Sequence, residues 1–148
     1  MKRVKISDLL KSSTIGSEVL VKGWVRTFRS NRFIAINDGS TLQNIQAVVD
    51  FEKEDENQLK RITTGSSIAV VGTVVESQGR GQSIELVVKS FEILGDANPE
   101  EFPLQKKKHS LEFLRDIAHL RFRTNTFSAI SRVRHAMIFA VHKFFNDK

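Results

Sequence analysis

The sequence predicts a mainly β protein with flanking helices: a five-stranded barrel over 1–98, a linker or hinge over 99–122, and a further segment over 123–148 carried by a long amphipathic helix. Three observations predict it. Five β-rich runs crowd into about 80 residues, with one polar, helix-patterned stretch between the third and fourth. Both prolines fall in Asp96-Ala-Asn-Pro-Glu-Glu-Phe-Pro103, which reads as the end of the barrel. Beyond them apolar residues recur at intervals of three and four.

In chain order, Ile6, Leu9 and Leu10 form one short apolar face, and Ser7 is placed to cap a brief helix. Val19–Val25 alternates and is the first strand; Arg32–Asn37 is the second, stopped by the Asp38-Gly39 turn; Ile45–Val49 is the third. Glu52–Ile62 is polar, with Phe51, Leu59 and Ile62 on one side, and predicts a short helix. Ser67–Glu76 and Ser83–Phe91 are the last two strands, joined by the glycine-rich hairpin connection Ser77–Gln82. This order and size are those of an OB-fold, a barrel able to bind single-stranded nucleic acid. Meanders and sandwiches share the strand count. After the linker, Lys106-Lys107-Lys108 is a basic patch, and Phe127, Ile130, Val133, Met137, Val141 and Phe144 mark an amphipathic helix that needs an apolar partner. The stop at Asn146-Asp-Lys148 is expected to cut a domain just after it begins.

The 148 residues are 40% hydrophobic and 27% charged, ordinary globular composition. No apolar stretch is long enough to span a bilayer, and Met1 runs into Lys2-Arg3-Val4-Lys5 without a signal-peptide pattern, so a cytoplasmic location is expected. The absence of cysteine excludes disulfides, thiolate metal sites and a cysteine nucleophile. His135 and His142 lack carboxylates at ligand spacing, no Ser-His-Asp or paired-carboxylate arrangement is organised, and Gly79-Arg80-Gly81 lacks a P-loop's context. No catalytic residue and no metal site is therefore expected, and the chain is expected to bind rather than catalyse.

The net charge of +6 is uneven. Thirteen basic residues face twelve acidic ones up to Asn98, and ten face five from Pro99 onward. Within the near-neutral part, Lys22, Arg26, Arg29 and Arg32 run without an intervening acid, and Asp50, Glu52, Glu54, Asp55 and Glu56 oppose them. Such polarity suits a polyanion on one side; it also suits arginines that guard a strand edge. Strand alternation points Ile34, Ile36, Ile45, Ala47, Val49, Ile84, Leu86, Val88, Val21 and Val25 inward. It collects Phe33, Ala35, Asn37, Asn44, Gln46, Ser83, Glu85, Lys22, Trp24 and Arg26 on an outer face. Rings there offer stacking platforms, amides and carboxylates meet base edges, and arginines follow phosphates. Taken singly, Phe33 also suits a ring capping the barrel mouth, and Gln46 and Glu85 suit solvated strand positions.

Val21-Lys-Gly-Trp-Val-Arg-Thr27, Asn37-Asp-Gly-Ser40 and Ile45-Gln-Ala-Val48 resemble the anticodon-binding barrel of class II aminoacyl-tRNA synthetases of the aspartate, asparagine and lysine subgroup. Lys108-His-Ser-Leu-Glu-Phe-Leu-Arg-Asp-Ile-Ala-His-Leu-Arg-Phe-Arg-Thr-Asn125, continued by Val133-Arg-His135 and Phe144-Phe-Asn146, is similar to the hinge region of bacterial asparaginyl-tRNA synthetases. The resemblance implies that 1–98 is an anticodon-binding OB-fold and that 123–148 is the first-motif helix of a class II catalytic domain, part of a homodimer interface. It implies that Phe33 stacks on the middle anticodon base, a uracil, that Gln46 reads that uracil, and that Glu85 reads the first base, guanine. Arg26 and Arg29 match basic positions near the anticodon backbone. The parent enzyme would join asparagine to its tRNA with ATP and magnesium. Lacking the ATP and adenylate motifs, this chain would bind tRNA without catalysing, with no cofactor of its own. The alternative is a free-standing protein that binds single-stranded nucleic acid without base preference.

Overall fold

A computed structural model describes residues 1–52, 54–79 and 81–148. Lys53, within the expected helix of 52–62, and Arg80, within the expected hairpin loop, lie outside the described residues. The chain forms two compact units, Met1–Lys107 and Lys108–Lys148.

In the first unit the order is α1 (Ile6–Lys11), β1 (Glu18–Arg29), β2 (Phe33–Asn37), β3 (Ile45–Val48), α2 (Glu56–Lys60), β4 (Ser67–Glu76) and β5 (Ile84–Gly95). The strands close a barrel in the order β1-β2-β3-β5-β4. Every seam is antiparallel except β3 against β5, which is parallel. Closure pairs strand edges and turns one side chain in two inward. Val21, Val25, Ile34, Ile36, Ile45, Ala47, Val70, Val74 and Leu86 are all at most 1% exposed. Ile6 and Leu9 of α1, and Leu59 with Ile62 at α2, join the same core.

The expected β4 is found residue for residue, whereas β1 and β5 run further than alternation suggested. β1 continues through an irregularity: Val25 pairs with Ile36 and Thr27 with Ala35, so Arg26 is an extra residue. Such a bulge resets the alternation, and Phe28, two positions on, packs against the core. Arg29 O accepts from Arg32 N–H at 3.0 Å across Ser30 and Asn31, whose φ values are 53° and 49°. Positive φ at both central positions makes this the mirror-image turn whose twist suits a hairpin. At Gly23 an added Cβ would come within 2.6 Å of Asn37 O, so the β1–β2 approach depends on that glycine.

Ser7 does not cap α1. Lys5 occupies the cap position without a side-chain bond, and the free N–H groups of the first turn are satisfied from the turn after β2. Asp38 Oδ2 accepts from Ile6 N–H at 3.1 Å, and Ser40 Oγ accepts from Ser7 N–H at 2.9 Å. Asp38 also accepts from Ser40 N–H and Oγ and pairs with Arg3 at 3.1 Å. Burial alone would raise the Asp38 carboxyl, but the Ser40, Ile6 and Arg3 donors outweigh it and hold the pKa below its ordinary value. The helix between β3 and β4 is shorter than expected; Asp55 caps it by accepting from Asn57 N–H.

The second unit holds α3 (Leu111–Asp116), a 3₁₀ turn at Arg121–Arg123 and α4 (Asn125–Asp147). Ser110 caps α3 and Thr124 caps α4. The Arg121 guanidinium lies over the rings of Phe122 and Phe127, 5.3 and 4.9 Å from their centroids. Ile130, Val133, Met137, Ile138, Phe139, Val141, Phe144 and Phe145 are between 48% and 75% exposed.

Candidate nucleic-acid interface

Strand register lays two rows across the outside of the barrel. Arg29 pairs with Phe33, Phe33 with Val48, and Val48 with Val87. Beside them, Thr27 pairs with Ala35 and Ala35 with Gln46. Ile34, Ala47 and Leu86, the residues between, are fully buried, so both rows face outward. The first row is basic, aromatic and apolar; the second ends in hydrogen-bonding groups.

The second row ends in a cluster. Glu85 Oε2 accepts from Gln46 Nε2 at 3.1 Å, from Ser77 Oγ at 3.2 Å and from Gln82 Nε2 at 3.2 Å. Ser77 and Gln82 come from the β4–β5 connection, which Ser77 N–H closes by donating to Ser83 O at 3.0 Å. An open groove of ≈ 800 Å³ lies here, lined by residues that include Thr27, Arg29, Ala35, Gln46, Gln82 and Lys106. Arg29 and Lys106 bring positive charge to its lining, beside the Glu85 carboxylate that Gln46 and Gln82 hold. It can therefore take an anionic backbone at its rim and a base edge against its amides.

The structure brings Gln46 and Glu85 into direct contact and sets Arg29 in the same groove. Phe33 stands in the adjoining row, with the Arg32 guanidinium 5.8 Å from its ring centroid. Arg26 is not part of this grouping. It is the bulge residue, half-buried, and desolvation lowers its guanidinium pKa. Ser77 and Gln82 were missed in the sequence because loop residues have no periodicity to assign them a side. The available signal was that both are short-range polar neighbours of Glu85 across a glycine-rich turn. Among the described residues, no three His, Asp or Glu side chains stand together as a metal would require, and no helix is long and apolar enough to cross a membrane.

A barrel with this strand order and an outer face of rings, amides and arginines is the build of a nucleic-acid-binding domain. A family model described as an OB-fold nucleic acid binding domain, of the tRNA anticodon type, matches residues 19–94, and the chain belongs to that family. It is similar to the asparagine–tRNA ligase of Cytophaga hutchinsonii, at 59% identity over 100% of this chain and 33% of that protein. Its identity to the asparagine–tRNA ligase of Porphyromonas gingivalis strain W83 is 56%, over 100% of this chain and 32% of that protein. Among solved structures, the asparaginyl-tRNA synthetase of Pyrococcus horikoshii complexed with asparaginyl-adenylate superposes with a TM-score of 0.80 at 27% identity, covering 97% of this chain and 34% of that one. The chain thus spans about a third of the length of the curated relatives it matches, and corresponds to the N-terminal region of asparagine–tRNA ligases.

Proposed function

We propose that this chain is the tRNA-recognition part of an asparagine–tRNA ligase and that its outer barrel face reads the anticodon loop. The observation that carries this is the contact of Gln46 with Glu85 beside Phe33 and Arg29, on the outside of a barrel that belongs to a nucleic-acid-binding family. Phe33 stacks on the middle base, a uracil, and Gln46 reads that base. Glu85 takes the first base, guanine, whose N1–H and 2-amino donors face an acceptor-only carboxylate. Arg29 contacts phosphate from within the groove, and Arg26 contacts the backbone from the bulge.

The 59% identity supports assigning the rest of the activity to the parent ligase: joining asparagine to tRNA in the cytoplasm, as a homodimer whose interface includes α4. ATP and magnesium serve that joining reaction, and the motifs that bind ATP and the adenylate are not found in this sequence. By itself the chain forms no adenylate; pyrophosphate exchange above background from the pure chain would contradict this.

The deciding experiment compares binding of asparagine tRNA with the same tRNA carrying a replaced anticodon. Loss of affinity on replacement is expected. Equal affinity would favour a free-standing single-strand binder without base preference.

A further inference from the structure

The hydrogen bonds around Glu85 have a direction. A carboxylate accepts and does not donate, so each neighbour must offer it a hydrogen. Gln46 therefore turns Nε2, not Oε1, toward Glu85. Gln82 spends one N–H on Glu85 and the other on Ser77 Oγ at 2.8 Å. Ser77 Oγ accepts also from Gly79 N–H at 3.1 Å and gives its own hydrogen to Glu85. Ser77 thus donates once and accepts twice, its full capacity. Every partner meets Oε2; Oε1 of Glu85 and Oε1 of Gln46 have no hydrogen bond among the described residues.

We infer that Ser77 and Gln82 are positioning residues for both base readers: they fix Glu85, and Glu85 fixes which way round the Gln46 amide stands. This rests on assigning the face to base reading. With Nε2 engaged, Gln46 keeps its carbonyl for the ligand, next to the unpartnered oxygen of Glu85. Two neighbouring acceptors suit bases whose ring nitrogen carries hydrogen, uracil at N3 and guanine at N1. They repel cytosine N3 and adenine N1, which are themselves acceptors. An amide released from Glu85 can turn over and offer a donor, so cytosine becomes tolerable. Selectivity at the middle base is therefore set partly by residues that never touch it.

The test measures binding of the 148-residue chain to anticodon stem-loops with uracil or cytosine in the middle, and guanine or adenine first. Wild type is compared with Glu85→Gln and Gln82→Ala, each checked for an unchanged thermal transition. With guanine held first, both variants should lower the uracil-over-cytosine preference by about threefold or more, the coupling expected within one hydrogen-bond network. Glu85→Gln has the larger effect. A merely structural role for Gln82 would weaken all loops alike and leave that ratio untouched. Should both variants keep the wild-type ratio while guanine-over-adenine selectivity falls, Gln46 is oriented independently and the inference is wrong, though base reading stands. Should wild type show no preference at either position, base reading itself fails.

Discussion

Phe33 and Arg29 are direct neighbours across the β1–β2 seam, yet they should fail in different ways. Phe33→Ala is expected to cost about 1–3 kcal/mol of anticodon-loop affinity through lost stacking, with an unchanged salt slope. Arg29→Ala should instead reduce that slope by about one, because one phosphate contact no longer releases a counterion. Titrations of one stem-loop at several salt concentrations separate the two; identical slopes for both variants would remove Arg29 from the backbone contact. The side of the barrel each residue occupies was legible where a strand is regular. Period-two alternation on β3 and the start of β5 puts Gln46 and Glu85 outside, and their inward neighbours Ala47 and Leu86 are fully buried. It could not follow β1 past Val25, since the bulge at Arg26 inserts a residue that nothing in Trp-Val-Arg-Thr announces. Nor could it pair Gln46 with Glu85, because a parallel seam is set by a long connection rather than by a turn.

At the scale of elements, the joint between α1 and the turn after β2 depends on Asp38, whose side chain is 0% exposed. Folding lowers its pKa from the ordinary 3.8. The resulting stabilisation is complete above that value and is lost as pH falls through the lower, folded one. Asp38→Asn should cost about 1.5–3 kcal/mol at neutral pH, the range for hydrogen bonds to a charged group. It should also flatten the acid limb of the stability curve, measured by denaturant unfolding between neutral pH and strong acid. The β1–β2 turn offers a change of opposite sign. Ser30 holds φ at 53°, a left-handed conformation that costs a side-chain-bearing residue about 1–2 kcal/mol. Ser30→Gly relieves it, and after the extra entropy of the unfolded chain a gain of about 0.5–1 kcal/mol should remain as a raised Tm. Ser7 shows why caps are hard to assign from sequence alone. A residue of the right type stood near the start of α1, but the N–H groups were taken by Asp38 and Ser40, more than thirty positions away.

For the whole molecule, the telling feature is that α4 carries its apolar residues from Ile130 onward exposed. Val133 and Met137 are each 63% exposed, and Phe145 75%. A run of this size on one helix is more than isolated surface apolar residues explain. The chain is therefore expected to self-associate through α4, with sedimentation showing concentration-dependent species larger than a monomer. The pair of changes Val133→Glu and Met137→Glu should return it to a monomer while leaving affinity for the anticodon loop intact. A strict wild-type monomer whose α4 amides are fully protected from exchange would refute this.

The barrel closes where β3 meets β5, through just two register pairs, Ala47 with Leu86 and Val48 with Val87. Gln46 and Glu85, the two side chains proposed to read bases, meet at that seam from 39 positions apart in the chain. Contacts of such span are slow to form and follow the local hairpins. The β1–β4 seam joins positions further apart still, but through seven register pairs, so the two-pair β3–β5 seam is expected to be the first to come undone. If the proposed site is right, RNA laid across Gln46 and Glu85 is expected to act as a clasp on the moment of opening, since what binds only the closed form lengthens its life. Amide exchange along β3 should slow when an anticodon stem-loop is added, while β4, paired with β5 along its whole length and with β1 from Ser67 to Thr73, should scarcely change.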